Sequence, residues 1–239
     1  GMGTRLQYGW IHGENSRFFN NRVMFQARRY NRVSDGSLES MEISPGWFVN
    51  LKNGLGAFLE LKYMKEGVDE DFDLTDDAII PAGDYEFTAF EGRIFTPSSK
   101  PVSARINVEA GGFYDGNIIS LGAEPILNLS ASLQLSGEYQ FNSVHFPERD
   151  QRMKSHIVRA NILYMYSTKL SASAFVQLNN AHEVFVGNFR IRFNPREGND
   201  LYLVYNEYRG FMVGDDAFPV PPAYYNRAIM LKYTHTFRL

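Results

Sequence analysis

The run Phe185-Val186-Gly187-Asn188-Phe189-Arg190-Ile191-Arg192-Phe193, the turn Asn194-Pro195-Arg196-Glu197-Gly198-Asn199-Asp200 and the second run Leu201-Tyr202-Leu203-Val204-Tyr205-Asn206-Glu207 decide the fold. From Phe185 every second residue is apolar or Gly, while Asn188, Arg190, Arg192 and Asn194 take the alternate positions. A period of two is the signature of a strand, and a turn bearing Pro and Gly between two such runs makes a β-hairpin. Two arginines do not belong in a dry core. The charged face therefore meets water, and the apolar face meets protein or lipid.

The same choice is repeated along the chain. Arg5–Trp10, Phe18–Tyr30 and Met41–Leu51 alternate, and Asn53-Gly54 then turns the chain into Leu55–Tyr63. Asn-Gly is the strongest short-range hairpin signal. Val102–Ala110, Ile119–Ala123, Leu133–Phe141, Val158–Tyr166, Leu170–Leu178 and the final Ile229–Leu239 continue the pattern. In Tyr85–Phe95 the alternation is faulted, because Glu91 falls where an apolar residue is due, and this predicts a bulge near Gly92. Gly67–Gly83 and Asn142–Lys154 read as polar loops, and Arg209–Asn226 as a long final one.

The count is roughly thirteen strands with no helix, mostly near the ~9–11 residues that a tilted membrane-spanning strand needs. Eleven residues at ~3.3 Å rise and ~40° tilt reach about 28 Å, close to the hydrocarbon core. Strands of a soluble sandwich are usually shorter, ~5–6 residues. Short turns at Gly13, Asn53, Ser98, Leu129, Thr168 and Pro195 alternate with connections read as longer at Asp35, Asp71, Asp115, Glu148, Ala181 and Asp216. This is the asymmetry of periplasmic turns and external loops. The expected fold is all-β: an antiparallel up-and-down transmembrane β-barrel of roughly 12–14 strands, one domain over residues 1–239, in the cell outer membrane. Complete bacterial barrels have even strand counts, so an odd count points either to further strands upstream of Gly1, as part of a larger barrel, or to one strand miscounted.

Composition agrees with this class. Tyr and Phe supply most of an aromatic content of 15%, which favours strands. A net charge of −3 gives no footprint for nucleic acid, and the absence of cysteine removes disulfides, thiolate metal sites and thiol nucleophiles. Mean hydropathy is −0.31, and no apolar run reaches the length of a transmembrane helix, although alternating strands average to mild polarity.

Alternation assigns candidate residues to each face. Arg22, Arg28, Glu42, Glu60, Lys62, Arg105 and Glu109 fall on the charged face of the first half. Glu138, Arg159, Arg190, Arg192, Glu207 and Lys232 are assigned to it in the second. Opposed Arg and Glu would line an aqueous lumen, or pair across strands and fill it. Trp10, Trp47, Tyr63, Tyr85, Tyr139, Tyr164, Tyr166, Tyr233 and Phe237 are candidates for membrane-interface girdles. The acidic Asp69-Glu70-Asp71-Phe72-Asp73 stretch resembles a calcium loop only in part. Leu74 stands where an EF-hand requires Gly and Ile80 where it requires Glu, so a solvated loop is expected and no metal. The histidines have no metal-ligand spacing. Ser143 with His145, and Ser155 with His156, are close in sequence, but neighbouring strand residues point to opposite faces, so no catalytic residue and no cofactor are expected.

A family resemblance attaches to the opening hairpin. Asn188-Phe189-Arg190-Ile191-Arg192-Phe193, Gly198-Asn199-Asp200 and Leu201–Glu207 resemble the end of a C-terminal barrel domain of unknown function that follows a family-nine-type carbohydrate-binding module in Gram-negative outer-membrane proteins. Ile79–Tyr85 and Ala174-Phe175-Val176-Gln177 are similar to further parts of it. Tyr233-Thr234-His235-Thr236-Phe237-Arg238-Leu239 resembles the closing-strand signal of outer-membrane barrels. The resemblance implies a non-catalytic pore, or an anchor for an exported carbohydrate-binding region. Its partners would be outer-membrane lipid, the barrel-assembly machinery acting on the last strand, and a small solute or glycan. The alternative is a soluble β-sandwich or barrel that binds or cleaves carbohydrate, with the Arg/Glu face as its cleft.

Overall fold

The computed structural model describes residues 1–75, 78–180, 184–210 and 225–236. Its strands are β1 (Met2–Ile11), β2 (Phe18–Asn31), β3 (Leu38–Leu51), β4 (Gly56–Val68), β5 (Phe72–Thr75), β6 (Ala78–Ile80), β7 (Gly83–Phe95) and β8 (Val102–Phe113). They continue as β9 (Gly116–Asn128), β10 (Leu133–Phe146), β11 (Gln151–Met165), β12 (Leu170–Asn179), β13 (Val184–Arg196), β14 (Asn199–Gly210) and β15 (Tyr225–His235). The fold is all-β, an antiparallel up-and-down meander. Thirteen strands hydrogen-bond in sequence order, and β5 and β6 form a separate hairpin inserted between β4 and β7.

By contacts the chain forms two compact units. The first is Gly1–Pro97 with Ala104–Gly122 and Phe141–Lys154, and the second is Ser98–Ser103 with Ala123–Gln140 and Ser155–Leu239.

In the first unit the register sorts side chains strictly. Arg28 stands opposite Glu42, Arg22 opposite Phe48 and Phe48 opposite Phe58. Glu60 stands opposite Glu91, and Glu91 opposite Glu109. The other face carries Leu6, Tyr8, Val23, Phe25, Trp47, Leu59, Leu61, Phe90, Ile94 and Ile106, all exposed. The Asn53-Gly54 turn forms as expected, with Gly54 at φ 86°, a left-handed conformation that favours glycine.

The faulted strand has a different cause from the one expected. The pairing of β7 is unbroken from Gly83 to Phe95 against β4 and from Ala89 to Phe95 against β8, so no bulge occurs at Gly92. Tyr85, Phe87 and Ala89 instead share the polar face with Glu91 and Arg93, and that face becomes apolar toward the β4–β7 connection. The reason is the β5–β6 hairpin. Its Ala78 and Ile80 are 0% exposed and pack with Val144 and Phe146, against Val68, Leu74, Tyr85, Phe113, Tyr114, Ile118 and Met153. Burial of a side chain such as Ile80 contributes ~1.5–3 kcal/mol.

The expected loops are corrected by the same core. Gly67–Gly83 is not a solvated loop throughout, because it carries this hairpin. Asp69 ion-pairs with Arg32 at 2.7 Å and Asp71 accepts the Ala82 N–H at 2.8 Å. Asn142–Lys154 is mostly strand, with one 3₁₀ turn at Pro147–Arg149, since β10 and β11 must extend to bring Val144, Phe146 and Met153 onto the hairpin. The connection at Asp115 is only Tyr114-Asp115, so the expected excess of long connections on that side fails there. Tyr114 takes φ 52°, a left-handed conformation rare for a bulky residue. Its ring is held edge-on to Tyr85 at 5.1 Å and to Phe113 at 4.9 Å.

In the second unit the opening hairpin forms as read. Arg190 stands opposite Ser173 and Val204, and Phe189 opposite Ala174 and Tyr205, so one face is polar and the other apolar. The turn is tighter than expected. Strand pairing reaches Arg196 and Asn199 after a register shift at Asn194-Pro195, which leaves Glu197-Gly198 as the turn, with Gly198 at φ 83°. Asp76, Asp77, His182, Tyr224 and Phe237, and most of the expected final loop, lie outside the described residues.

Candidate functional site

The polar face of the first unit gathers ionisable side chains from six strands. Arg5 of β1, Met24, Gln26 and Arg28 of β2, Glu42 and Ser44 of β3, and Phe58, Glu60 and Lys62 of β4 line one cleft of about 310 Å³. These residues are two apart on each strand because alternate side chains share a face. Four consecutive strands can line one cleft because the face they form is concave there.

Beside the cleft runs a row of three carboxylates. Glu60, Glu91 and Glu109 are directly opposed on β4, β7 and β8, an arrangement that is unfavourable without compensation. Lys62 Nζ lies 2.5 Å from Glu91 Oε2, and Arg93 Nη2 lies 3.1 Å from Glu91 Oε1. Arg93 Nε also donates to Asn107 Oδ1 at 2.9 Å. Within the cleft the pattern differs. Ser44 donates its hydroxyl proton to Glu42 at 2.9 Å, yet among the described residues Arg5, Arg28, Glu42 and Glu60 form no ion pair with one another. Arg22 lies over the Phe48 ring at 5.3 Å.

In the second unit the polar face carries separate pairs. Arg159 bridges Glu138 at 2.5 Å and Gln177 at 2.9 Å, and Arg192 Nε lies 2.7 Å from Asp200. Asn188 donates to Asn206, and Lys232 stands opposite Tyr202.

The sequence assignments are thus brought together in part. Arg22, Arg28, Glu42, Glu60, Lys62, Arg105 and Glu109 share one face, as Arg159, Arg190, Arg192 and Lys232 do in the second unit. Glu207 is a correction. It lies opposite Gly187 and Arg227, on the apolar face with Phe189 and Leu203. Near the strand end, Glu207 is neutralised by Arg227 at 3.2 Å and accepts the Tyr205 hydroxyl at 2.8 Å. Tyr85 is a second correction: its ring sits in the hairpin core instead of an outer girdle, and its hydroxyl donates to the Pro81 carbonyl at 2.7 Å.

Trp10, Trp47 and Tyr63 lie on the apolar face of the first unit. Tyr63 donates to Glu86 at 2.6 Å and lies 5.8 Å from the Lys65 ammonium, a wet cluster at one end of that face. Tyr164 and Tyr233 lie on the apolar face of the second unit near strand ends, Tyr166 follows in the next turn, and Tyr139 bonds His156 at 2.9 Å. Ser143 and His145 lie within β10, and His156 bonds Tyr139 through its ring and Asn180 through its backbone N–H. Alternation places Gln26 and Ser44 on this face with Arg28 and Glu42, but sequence reading leaves out Arg5, Glu91 and Arg93. The phase of Glu91 and Arg93 was visible, but the apolar residues preceding them concealed which face was polar.

A solved porin structure is similar. That NanC porin, in a rhombohedral crystal form, shares 10% identity and a TM-score of 0.37 over 89% of this chain and all of its own. No family model and no curated protein matches.

Proposed function

We propose that this chain is an outer-membrane β-barrel whose polar face lines a solute path. The observation that carries the reading is the uncovered apolar face. Leu6, Tyr8, Leu61, Ile94 and Ile106 of the first unit and Ile162, Tyr164, Phe189 and Leu203 of the second are each more than 40% exposed. Exposed Leu, Ile, Val and Phe recur along the main strands, and β5–β6 is the only second sheet among the described residues. A soluble sandwich would bury these side chains against a facing sheet. Lipid would cover them without one.

Strand lengths support the same reading, since all thirteen are of 10–15 residues. The β5–β6 hairpin covers part of the polar face, which favours a narrowed channel and also suits a membrane anchor for an exported carbohydrate-binding region. The last strand, with Ile229, Leu231 and Tyr233 exposed on one face, suits delivery to an assembly machinery.

The test is fractionation of cells making the protein, a gel of detergent-extracted material with and without boiling, and planar-bilayer recording. Outer-membrane recovery, a folded band that shifts on boiling and discrete current steps are expected. A detergent-independent monomer in the soluble fraction would overturn the proposal, and a folded membrane protein without current would leave the anchor role.

A further inference from the structure

Four charges that form no ion pair with one another meet in the cleft between β1 and β4, and they fall into two groups by sign. Arg5 and Arg28 are donated by β1 and β2, and Glu42 and Glu60 by β3 and β4. Lys62 is the remaining charge on the lining, and it is committed to Glu91 at 2.5 Å. Ser44 is likewise committed to Glu42 at 2.9 Å, which fixes that carboxylate on the cleft wall. Arg28 and Glu42 are direct cross-strand neighbours, yet no ion pair forms between them.

We infer that this cleft is a binding site for a zwitterionic solute, one bearing a carboxylate and an ammonium on a short skeleton, as amino acids and small peptides do. A planar guanidinium presents paired N–H donors that match a carboxylate, and two guanidinium groups stand on that side. The glutamates accept from an ammonium on the other. Met24 and Phe58 supply apolar surface for the aliphatic part of the solute. A volume of about 310 Å³ is at the small end for ligand sites and suits a solute of dipeptide size. A neutral sugar would bring no counter-charge to either group, and a simple anion would lie beside two carboxylates. Both are penalised, because desolvated charges left unpaired oppose binding.

The inference rests on the proposal that this face lines a solute path, and the experiment separates the two. Glycylglycine, N-acetylglycine and glycine N-ethylamide share a central amide skeleton and carry both charges, only the negative and only the positive. Binding of each is read by saturation-transfer NMR on the full chain folded in detergent, and independently by block of current in planar bilayers. Glycylglycine is expected to bind about tenfold more tightly than either singly charged probe. Arg28→Gln and Glu42→Gln, each confirmed as folded by the gel shift, are each expected to remove that preference. Equal binding of the three probes, binding of none, or a preference unchanged in both variants would overturn the inference. If a variant does not fold, the comparison of probes on the native chain still decides. Absence of current with the NMR preference intact would count against the channel alone.

Discussion

Glu60 and Glu91 stand directly opposite each other on adjacent strands, and Lys62 Nζ closes on Glu91 at 2.5 Å from the next position of the same face. With Glu109 opposing Glu91 from the far side, one ammonium answers three aligned carboxylates, assisted by Arg93. The Lys62 and Glu91 side chains are 22% and 19% exposed, so this pair is largely withdrawn from solvent. Lys62→Met should therefore lower stability by about 2 kcal/mol, less than the ~3–5 kcal/mol of a fully buried pair. Denaturant unfolding in micelles measures it. Adding Glu91→Gln should recover most of the loss, because the uncompensated charge is then removed as well.

Ile80 is wholly enclosed in the hairpin core. Ile80→Ala should loosen β5–β6 by about 2–4 kcal/mol through lost burial and the cavity left behind. The expected consequences are faster proteolysis within residues 69–82 and a larger single-channel current. An unchanged current would mean that the hairpin does not narrow the path.

Tyr114 lies in the turn between β8 and β9, where desolvation and its hydrogen bond to the Glu66 carboxylate raise the phenol well above its ordinary value of 10.0. The sign follows. A group whose folded value is raised contributes stability fully below pH 10.0 and loses it progressively as pH rises toward the folded value. The hairpin core should thus weaken in alkali, and Tyr114→Phe should reduce that dependence. Ultraviolet titration should show one fewer late-ionising phenol in the variant.

β1 is exposed along its whole length and, among the described residues, pairs only with β2. In hydrocarbon each unpaired backbone N–H or C=O costs several kcal/mol, so the free edge must be covered in a bilayer. Hydrogen exchange in lipid nanodiscs should therefore show protection at the alternate amides of Met2–Ile11 that point away from β2. Rapid exchange at those amides would place β1 outside the hydrocarbon.

Much of this architecture could be read from period two alone. The thirteen main strands correspond one to one with the alternating runs, and Arg190 and Arg192 fall on a single face as their spacing requires. The strand ends were less legible. Val144 and Phe146 read as loop because neighbouring residues are polar, and nothing local shows that a hairpin some sixty residues earlier in the chain covers them. Glu207 is a simpler case: its polarity suggests the charged face, but strand phase puts it with Leu203 and Tyr205.

The sequence by itself determined that strands form and which residues share a face, because alternation of side chains along a strand is fixed by backbone geometry. Only the tertiary structure decided what each face meets. Cross-strand register sets Glu60 against Glu91 and leaves Arg28 beside Glu42 unpaired, and register joins residues tens of positions apart. The β5–β6 hairpin made one end of that face apolar core at Phe87 while Glu91, farther along it, stays charged and paired, since burial depends on which distant segment packs there and not on the residues within one strand.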